Sequence, residues 1–305
     1  MVIPLSDTLF LPDAICGFSE CAAQATRLAA ALRVPYAPVD IHAFPDGESR
    51  VRVKAPGRHV ALYRTLDHPN AKLIEVILAA SALRDQGAAR LTLIAPYLPY
   101  MRQDIAFHPG EAVSQKAIGQ MLSGAFDRFV AVDPHLHRTS NLSVVFGGKP
   151  SLALTGASAI VAHLMTLKPA PETVVIGPDE ESETLTRAVA LPLGLNWTLA
   201  KKERHGDRDV RIAIPPDVDV AGRPVIIVDD VISSGATITT IARIIRDKGS
   251  RSIDVYATHA LCDDQAMEAM ADAGVDRLIS CDGVPHRSNG ISLTDVIVSG
   301  LRISP

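Results

Sequence analysis

The sequence predicts an α/β protein with mainly parallel sheets flanked by helices, divided into two domains of similar size. Three observations lead to this prediction. Short, nearly unbroken aliphatic runs recur along the chain, as in strands that are buried on both faces. Segments with the 3.6-residue period of amphipathic helices separate these runs. The chain has 305 residues, and a domain commonly takes roughly 100–200.

The aliphatic runs are the predicted strands. They are rich in Val, Leu and Ile, and they are too short to be helices buried on all sides. They comprise residues 59–63, 91–95, 129–132, 173–176, 225–228 and 253–257.

Helices are predicted where apolar residues recur every three or four positions. The clearest of them covers 237–248 and stops at Gly249. A second covers 72–86, with Asn70 as a candidate N-cap, and Ser114 is a candidate N-cap for a third.

A glycine- and proline-containing stretch, residues 145–156, is the predicted boundary between the two halves. The predicted domains are therefore 1–150 and 151–305. The last ~15 residues are a candidate to pack back on the N-terminal domain, because chain ends are ordered when they dock on a neighbouring surface.

Composition excludes several classes of function. Lys and Arg total 30 and Asp and Glu total 34, so the net charge is -4. This balance offers no general attraction for nucleic acid or for an anionic membrane. Aromatic residues make up only 4% of the chain, which leaves few platforms for stacking bases.

Compartment is predicted from the cysteines and the N-terminus. The four cysteines form no CxxC pair and no zinc-like cluster, so reduced thiols are expected. The N-terminus lacks the basic region of a signal peptide, and no apolar run approaches the roughly 18 residues of a membrane helix. The sequence therefore predicts a cytoplasmic protein without a membrane segment.

The most informative motif is VIIVDDVISSGAT at 225–237. A buried strand ends in Asp229 and Asp230, a small-residue turn follows, and a helix then begins. Backbone amides of such a turn can approach a phosphate, and the helix N-terminus adds partial positive charge. The two carboxylates would accept hydrogen bonds from sugar hydroxyls. The candidate residues for binding a sugar phosphate are Asp229, Asp230, Ser233, Ser234, Gly235, Ala236 and Thr237.

The plainer interpretation of this motif is an ordinary strand-to-helix turn. The ordered combination of apolar strand, paired acids, small-residue loop and amphipathic helix favours a phosphate site. It is not a Walker loop, because the lysine of GxxxxGK[ST] is missing. The motif resembles the phosphoribosyl diphosphate loop that type I phosphoribosyltransferases and ribose-phosphate diphosphokinases share.

Further motifs separate these two families. In chain order they read FPDGE (44–48), YLPYMRQD (97–104), AVDPH (131–135), VIGPD (175–179), KKERHGDRDVR (201–211) and DGVPHRSN (282–289). As an ordered set over almost the whole chain, they resemble the ribose-phosphate diphosphokinase family. The resemblance implies two domains of type I phosphoribosyltransferase fold. It also implies transfer of the β,γ-diphosphoryl group of Mg-ATP to the C1 hydroxyl of ribose 5-phosphate, with release of AMP.

The resemblance also implies roles for individual residues. Phe44, Asp46 and Glu48 would contact adenosine in a neighbouring subunit, so the protein would be a homo-oligomer with shared active sites. Arg102 and Gln103 would bind ATP. Asp229 and residues 233–237 would bind ribose 5-phosphate. The metal positions for Mg2+ would be His135 and Asp179. The catalytic pair would be Lys202 and Arg204.

Two departures from the family pattern stand out. Ser233 occupies a position where many members have a third acid, so ribose contacts would fall on Asp229 and Asp230. Residues 180–183 read EESE where many members have a glycine pair. These acids would either repel a phosphate or face solvent at the start of a helix, where acids suit the dipole.

Two alternatives to a diphosphokinase remain at the level of sequence. The first is a phosphoribosyltransferase that consumes the same diphosphate, which would not need FPDGE, RQD or the Lys202 and Arg204 loop. The second is a catalytically silent homologue that regulates an active partner. The presence of His135, Lys202 and Arg204 argues against the second alternative.

Overall fold

The computed structural model describes residues 11–136, 138–139, 141–204, 210–216 and 218–302, and it describes side chains outside 202–211. The chain folds into two compact units. The first unit runs to Leu154 and takes in the chain from Thr294 onward, and the second is Thr155–Leu293. The predicted α/β class with two parallel-dominated sheets is confirmed. The division of function between 1–150 and 151–305 stays a prediction.

In its described part, the first unit contains a seven-stranded sheet with the strand order β3-β2-β1-β4-β5-β6-β7. Its strands are parallel except for β3, which pairs antiparallel with β2 at the edge. The strands are β1 Ala14–Phe18, β2 Tyr36–Ala43, β3 Ser49–Val53, β4 His59–Tyr63, β5 Arg90–Ile94, β6 Arg128–Val132 and β7 Ser151–Leu154. The helices α1 Ala22–Leu32, α2 Pro69–Asp85, α3 Ser114–Ala125 and α4 Leu142–Val145 belong to the same unit.

Strands β1, β4 and β6 are buried at every position, and their sequences are accordingly almost entirely apolar. The stretch 145–156, which we predicted to be a boundary, contains β7, and β7 completes this sheet beside β6.

The second unit contains a parallel six-stranded sheet and a separate two-stranded ribbon in its described part. The sheet order is β15-β14-β13-β12-β8-β9. The strands are β8 Val174–Gly177, β9 Asn196–Leu199, β10 Lys201–Arg204, β11 Val210–Ala213, β12 Pro224–Ile232, β13 Ser252–Ala260, β14 Arg277–Cys281 and β15 Asn289–Ile291. The helices are α5 Ala157–Leu167, α6 Glu183–Ala190, α7 Ala236–Asp247 and α8 Asp264–Asp272. A last helix, α9 Thr294–Arg302, returns to the first unit.

Both predicted helix caps are wrong. The N-cap of α2 is His68, and Pro69 takes the first helical position, where its missing N–H costs nothing. The N-cap of α3 is Val113, and the hydroxyl of Ser114 instead donates to Gln103 Oε1 at 2.7 Å. In each case a tertiary contact or a proline decides the helix start, so the local capping pattern does not predict it.

All four cysteines lie in the described part of the chain, where they are buried and form no disulfide. Burial raises the pKa of the Cys16 thiol to about 12 and that of Cys21 to about 11, so both thiols stay protonated at neutral pH. Within the same residues, every helix is too short or too polar to cross a membrane.

Acid is expected to destabilise the first unit through His59. Its buried ring lies with Nε2 2.8 Å from Thr92 Oγ1. Burial, with Arg128 and Arg90 nearby, lowers its pKa from 6.5 to about 4. The unfolded chain takes up the proton near pH 6.5, so the free energy of unfolding falls as the pH drops from 6.5 towards 4, by about 2–3 kcal/mol.

Denaturant unfolding of the wild type and of His59→Gln between pH 7 and 4.5 measures this contribution. The variant should lose about 2–3 kcal/mol less of its unfolding free energy over that range. The same pH slope in both proteins would contradict the assignment.

Candidate active site

The carboxyl ends of β8 and β12 meet at one edge of the second sheet. The two strands are neighbours and parallel, with Ile176 paired to Ile227. Asp179 follows β8 directly after a proline, and Asp229 and Asp230 lie in the second half of β12. Because parallel strands end at the same edge, three carboxylates from distant parts of the sequence come together where open α/β sheets bind ligands.

Asp229 is strongly affected by its surroundings. The pKa of the half-buried Asp229 is raised well above its ordinary value, first by burial and then by the charges of Asp230 and Asp179. The backbone N–H of Asp230 donates to Asp229 Oδ1 at 3.0 Å, which fixes the orientation of that carboxylate. This edge therefore concentrates negative charge that a divalent cation would relieve.

No group of three or more His, Cys, Asp or Glu side chains in the described residues is arranged to hold a metal ion without other ligands. Mg2+ keeps several waters and needs only one or two carboxylates together with substrate phosphates, so a site for it need not contain such a group.

The turn after β12 leads into the N-terminus of α7. Gly235 is the N-cap, in the left-handed conformation at φ 71°, which a side chain would strain. Gly235 has no side chain to cap the helix, and the contact of Ser234 Oγ with Ala236 N is long, at 3.5 Å, whereas Asp263 caps α8 by accepting from Ala266 N at 2.9 Å. Ser233 and Ser234 are exposed, and Ala236 and Thr237 begin the helix. This start of α7 could therefore receive an anion, which would replace the long contact between Ala236 N and Ser234 Oγ.

Asp179 has a defined local role. Its Oδ1 accepts from Glu181 N at 3.1 Å and from Ser182 N at 3.2 Å, which caps a short 3-10 turn before α6. Glu180 and Glu181 are exposed, and Glu183 lies 3.3 Å from Arg187. Of the two alternatives for these acids, the structure therefore favours the solvent-facing one.

The ribbon of β10 and β11 leaves the sheet at the same edge. Ala200 N donates to Gly177 O at 2.8 Å, so β10 begins beside the end of β8. Lys202 pairs with Ile212 and Arg204 with Val210 across the ribbon. Strand residues two apart share a face, so positions 202 and 204 belong to the same face. The side chains of Lys202 and Arg204 lie outside the described part of the chain.

In the first unit, the predicted ATP residues follow β5. Arg102 is exposed, and Gln103 is held by the hydroxyl of Ser114. Asp104, whose side chain is almost fully buried, pairs with Arg138 at 2.9 Å. The sequence motif contains Asp104 but gives no sign of its partner 34 residues later.

In the first sheet, residues with strained backbone angles follow the carboxyl ends of neighbouring strands. His68, Tyr100 and Asp133 have φ values of 47°, 64° and 39°, and they follow β4, β5 and β6, three neighbouring strands. Non-glycine residues rarely adopt these angles, and such residues cluster at binding sites. His135, half-buried, lies two residues after Asp133. Sequence analysis identified His135 but missed the strained positions beside it.

The segment Phe44–Glu48 is the turn of the β2–β3 hairpin. Phe44 N donates to Glu48 O at 2.7 Å, and Glu48 N donates to Asp46 Oδ1 at 3.1 Å, while Gly47 has φ 91°. All residues of this turn are exposed, and the ring of Phe44 is 40% accessible although it is apolar. The predicted adenosine residues are thus presented on the surface of their unit.

Comparisons with known proteins agree along the chain. Residues 14–125 match the family model described as the N-terminal domain of ribose phosphate pyrophosphokinase. Residues 150–295 match the phosphoribosyl transferase domain. Among curated relatives, ribose-phosphate pyrophosphokinase of Methanopyrus kandleri is 33% identical, over 90% of this chain and 94% of the relative. The enzyme of the same name from Pyrococcus abyssi is 35% identical, over 85% and 89%.

A solved structure of similar fold is that of phosphoribosylpyrophosphate synthetase from Mycobacterium smegmatis. It aligns with a TM-score of 0.80, at 24% identity, over 95% of this chain and 98% of the other.

Proposed function

The chain belongs to the ribose-phosphate pyrophosphokinase family, and from this premise we propose that it transfers the β,γ-diphosphoryl group of ATP to the C1 hydroxyl of ribose 5-phosphate. The products are 5-phosphoribosyl 1-diphosphate and AMP. The observation that carries the proposal is the second sheet's edge, where the glycine-capped start of α7 follows the strand that bears Asp229 and Asp230.

Ribose 5-phosphate binds at this edge. Its phosphate takes the amides from Gly235 to Thr237 and the hydroxyls of Ser233 and Ser234, in place of a capping side chain. Asp229 and Asp230 accept hydrogen bonds from the ribose hydroxyls. The strand end fixes the carboxylates and the helix start fixes the phosphate, so the C1 hydroxyl is held in one orientation.

ATP is bound mainly by residues of the first unit. Arg102 presents a planar guanidinium that suits phosphate oxygens, and Gln103 is oriented by Ser114. Phe44, Asp46 and Glu48 contact the adenosine from a neighbouring subunit. Within one sheet, β2 lies three strands from β5, which is about 14 Å at ordinary strand spacing. The distance between the Phe44–Glu48 turn and the Arg102 loop supports a turn that contributes to the active site of a neighbouring subunit. The protein would then be a homo-oligomer.

The carboxylate edge fits Mg2+. Burial and, after it, the negative charges of Asp230 and Asp179 raise the pKa of Asp229, and a cation would offset those charges. At this edge Asp179 would hold an ion together with substrate oxygens, and in the first unit His135 would be a metal ligand. When bound, the ion neutralises charge on the phosphate oxygens.

Lys202 and Arg204 stabilise the charge that develops on the transferred group. Diphosphoryl transfer requires positioning and charge stabilisation rather than a covalent protein intermediate. The ribbon begins beside β8, so these residues start from the edge where the ribose binds.

The buried cysteines, which form no disulfide in the described chain, support a cytoplasmic location.

The test is to incubate the protein with Mg-ATP and ribose 5-phosphate and to separate the nucleotides by chromatography. AMP that appears only when ribose 5-phosphate is present supports the proposal. A phosphoribosyltransferase would instead consume 5-phosphoribosyl 1-diphosphate with a base, and a silent homologue would form no AMP. Either result would contradict it.

A further inference from the structure

The turn Phe44–Glu48 is followed at once by a hydrogen bond to a buried acceptor on α2. Ser49, the first residue of β3, donates its hydroxyl to Glu75 Oε1 at 2.9 Å. In the described sheet, β3 is the edge strand and has β2 as its neighbour. The Ser49–Glu75 hydrogen bond therefore connects the end of an exposed hairpin turn to a helix that packs on the core.

Glu75 is held in one orientation. It is 8% exposed, and its Oε2 lies 2.6 Å from Arg64 Nη2. Arg64 is itself buried, with Nε 2.8 Å from Glu20 and its guanidinium 3.9 Å from the centre of the Phe18 ring. Each Glu75 oxygen thus has its own partner, and the acceptor for Ser49 is fixed before the hairpin packs against it.

The same helix contacts the other segment that we assign to ATP. At the start of α2, Asn70 Oδ1 accepts from the hydroxyl of Tyr100. Tyr100 lies two residues before Arg102 and has the strained φ of 64°. Helix α2 therefore bonds to both segments, through Asn70 and Glu75, little more than one helical turn apart.

We propose that Ser49 and Glu75 are positioning residues for ATP, which hold the Phe44–Glu48 turn in the shape that a neighbouring subunit's site requires. The Asn70–Tyr100 hydrogen bond positions the Arg102 loop of the subunit's own site. Helix α2 thereby connects the ATP sites of two subunits. This inference rests on the proposed function, in particular on a turn that acts across the subunit interface.

Ser49→Ala removes the donor at little cost to the fold, because Glu75 keeps its contact with Arg64. The KM for ATP should rise about tenfold, the effect of losing one hydrogen bond to a charged group. The turnover number and the KM for ribose 5-phosphate should stay within about twofold of the wild-type values. The substitution leaves unchanged the residues of the second sheet that bind ribose 5-phosphate.

Two variants serve as controls. Ser49→Thr retains the hydroxyl and should restore the KM for ATP. Ser123→Ala removes a serine hydroxyl that donates to Gln120 O on α3 and should change nothing. A Ser49→Ala protein with a wild-type KM, or equal defects in Ser49→Thr and Ser49→Ala, would overturn the role of Ser49.

A mixing experiment tests whether the turn contributes to the active site of its own subunit or of a neighbouring one. Ser49→Ala subunits are reassembled with an excess of Lys202→Ala subunits, whose own sites are inactive. Active sites then lie in Ser49→Ala subunits and receive an intact turn from the neighbour, so the KM for ATP should return to the wild-type value.

Tyr100→Phe is the matched control, because the Arg102 loop that Tyr100 positions belongs to the active site of the same subunit. Its raised KM for ATP should persist under the same mixing. If mixing leaves the Ser49→Ala value raised, the turn acts within its own subunit and the proposal fails. The parent reaction is checked separately, since AMP formation by the wild type does not depend on this outcome.

Discussion

Lys202→Ala is expected to lower the turnover number about 10³-fold, the usual effect of removing a charge that stabilises a transition state. The affinity for ATP should change little, because Lys202 interacts with the transferred group mainly in the transition state, when charge develops on that group. The register of the ribbon puts position 202 opposite Ile212, on a strand that starts next to β8. Steady-state kinetics give the turnover number, and equilibrium binding with Mg-ATP gives the affinity.

Lys201→Ala is the matched control for this variant. Lys201 is the adjacent residue of β10 and belongs to the opposite face of the ribbon. It is exposed, so its loss should leave the turnover number within about twofold. Equal losses in the two variants would show that the charge of the ribbon as a whole matters, and the assignment of Lys202 would be wrong.

Asp229→Asn is expected to abolish most activity and to make the free protein more stable. The amide oxygen can still accept from Asp230 N, so the local hydrogen bond is retained. The variant loses one of three neighbouring negative charges. Turnover should fall at least about 100-fold, while the melting temperature without Mg2+ should rise by about 2–4 °C, which corresponds to roughly 1 kcal/mol.

The pH dependence of this stabilisation follows from the raised pKa of Asp229. The unfolded chain releases the proton near the ordinary value, but the folded chain holds it to higher pH. The wild type therefore loses stability as the pH rises above about 4, and the loss is complete above the folded pKa. The advantage of the variant should be absent below about pH 4 and should grow as the pH rises towards the folded pKa.

Thermal melts from pH 4 to 8, with and without Mg2+, measure both effects. Mg2+ should stabilise the wild type and have less effect on the variant. Asp219→Asn, at an exposed acid that forms an ion pair with Arg223, should show neither change. A variant less stable than the wild type at neutral pH would contradict the electrostatic account of this edge.

The strand, turn and helix around the phosphate loop were predictable because their order is set by local rules. Residues 225–228 and 237–248 were predicted. Strand β12 contains the first run but continues to Ile232, past both acids, and α7 is displaced by one residue from the second. A wholly apolar run has to be buried on both faces, and Gly235 has to precede the helix because of its positive φ. Such features need no knowledge of distant residues.

The contacts that orient the site were not predictable. Asp104 and Arg138 are 34 residues apart and Ser49 and Glu75 are 26 apart, and no spacing rule joins them. The same holds for the Asn70–Tyr100 hydrogen bond, which explains why a residue that looks like a helix cap has another role. The proximity of Asp179 to Asp229 required the order of the strands, which a single sequence does not give.

The departures from the family pattern are now easier to interpret. Glu180 and Glu181 are exposed at the start of a helix turn capped by Asp179, where acids are favourable. Ser233 is exposed beside the α7 N-terminus. Both positions are therefore compatible with an anionic ligand at Gly235.

The most direct test of the account is time-resolved ³¹P NMR of the protein with Mg-ATP and ribose 5-phosphate. The account predicts equal amounts of AMP and 5-phosphoribosyl 1-diphosphate, formed as ATP disappears and without ADP. It also predicts no AMP when ribose 5-phosphate is omitted. Formation of ADP, or of AMP with free diphosphate and unchanged ribose 5-phosphate, would contradict the transfer of a diphosphoryl group to the ribose.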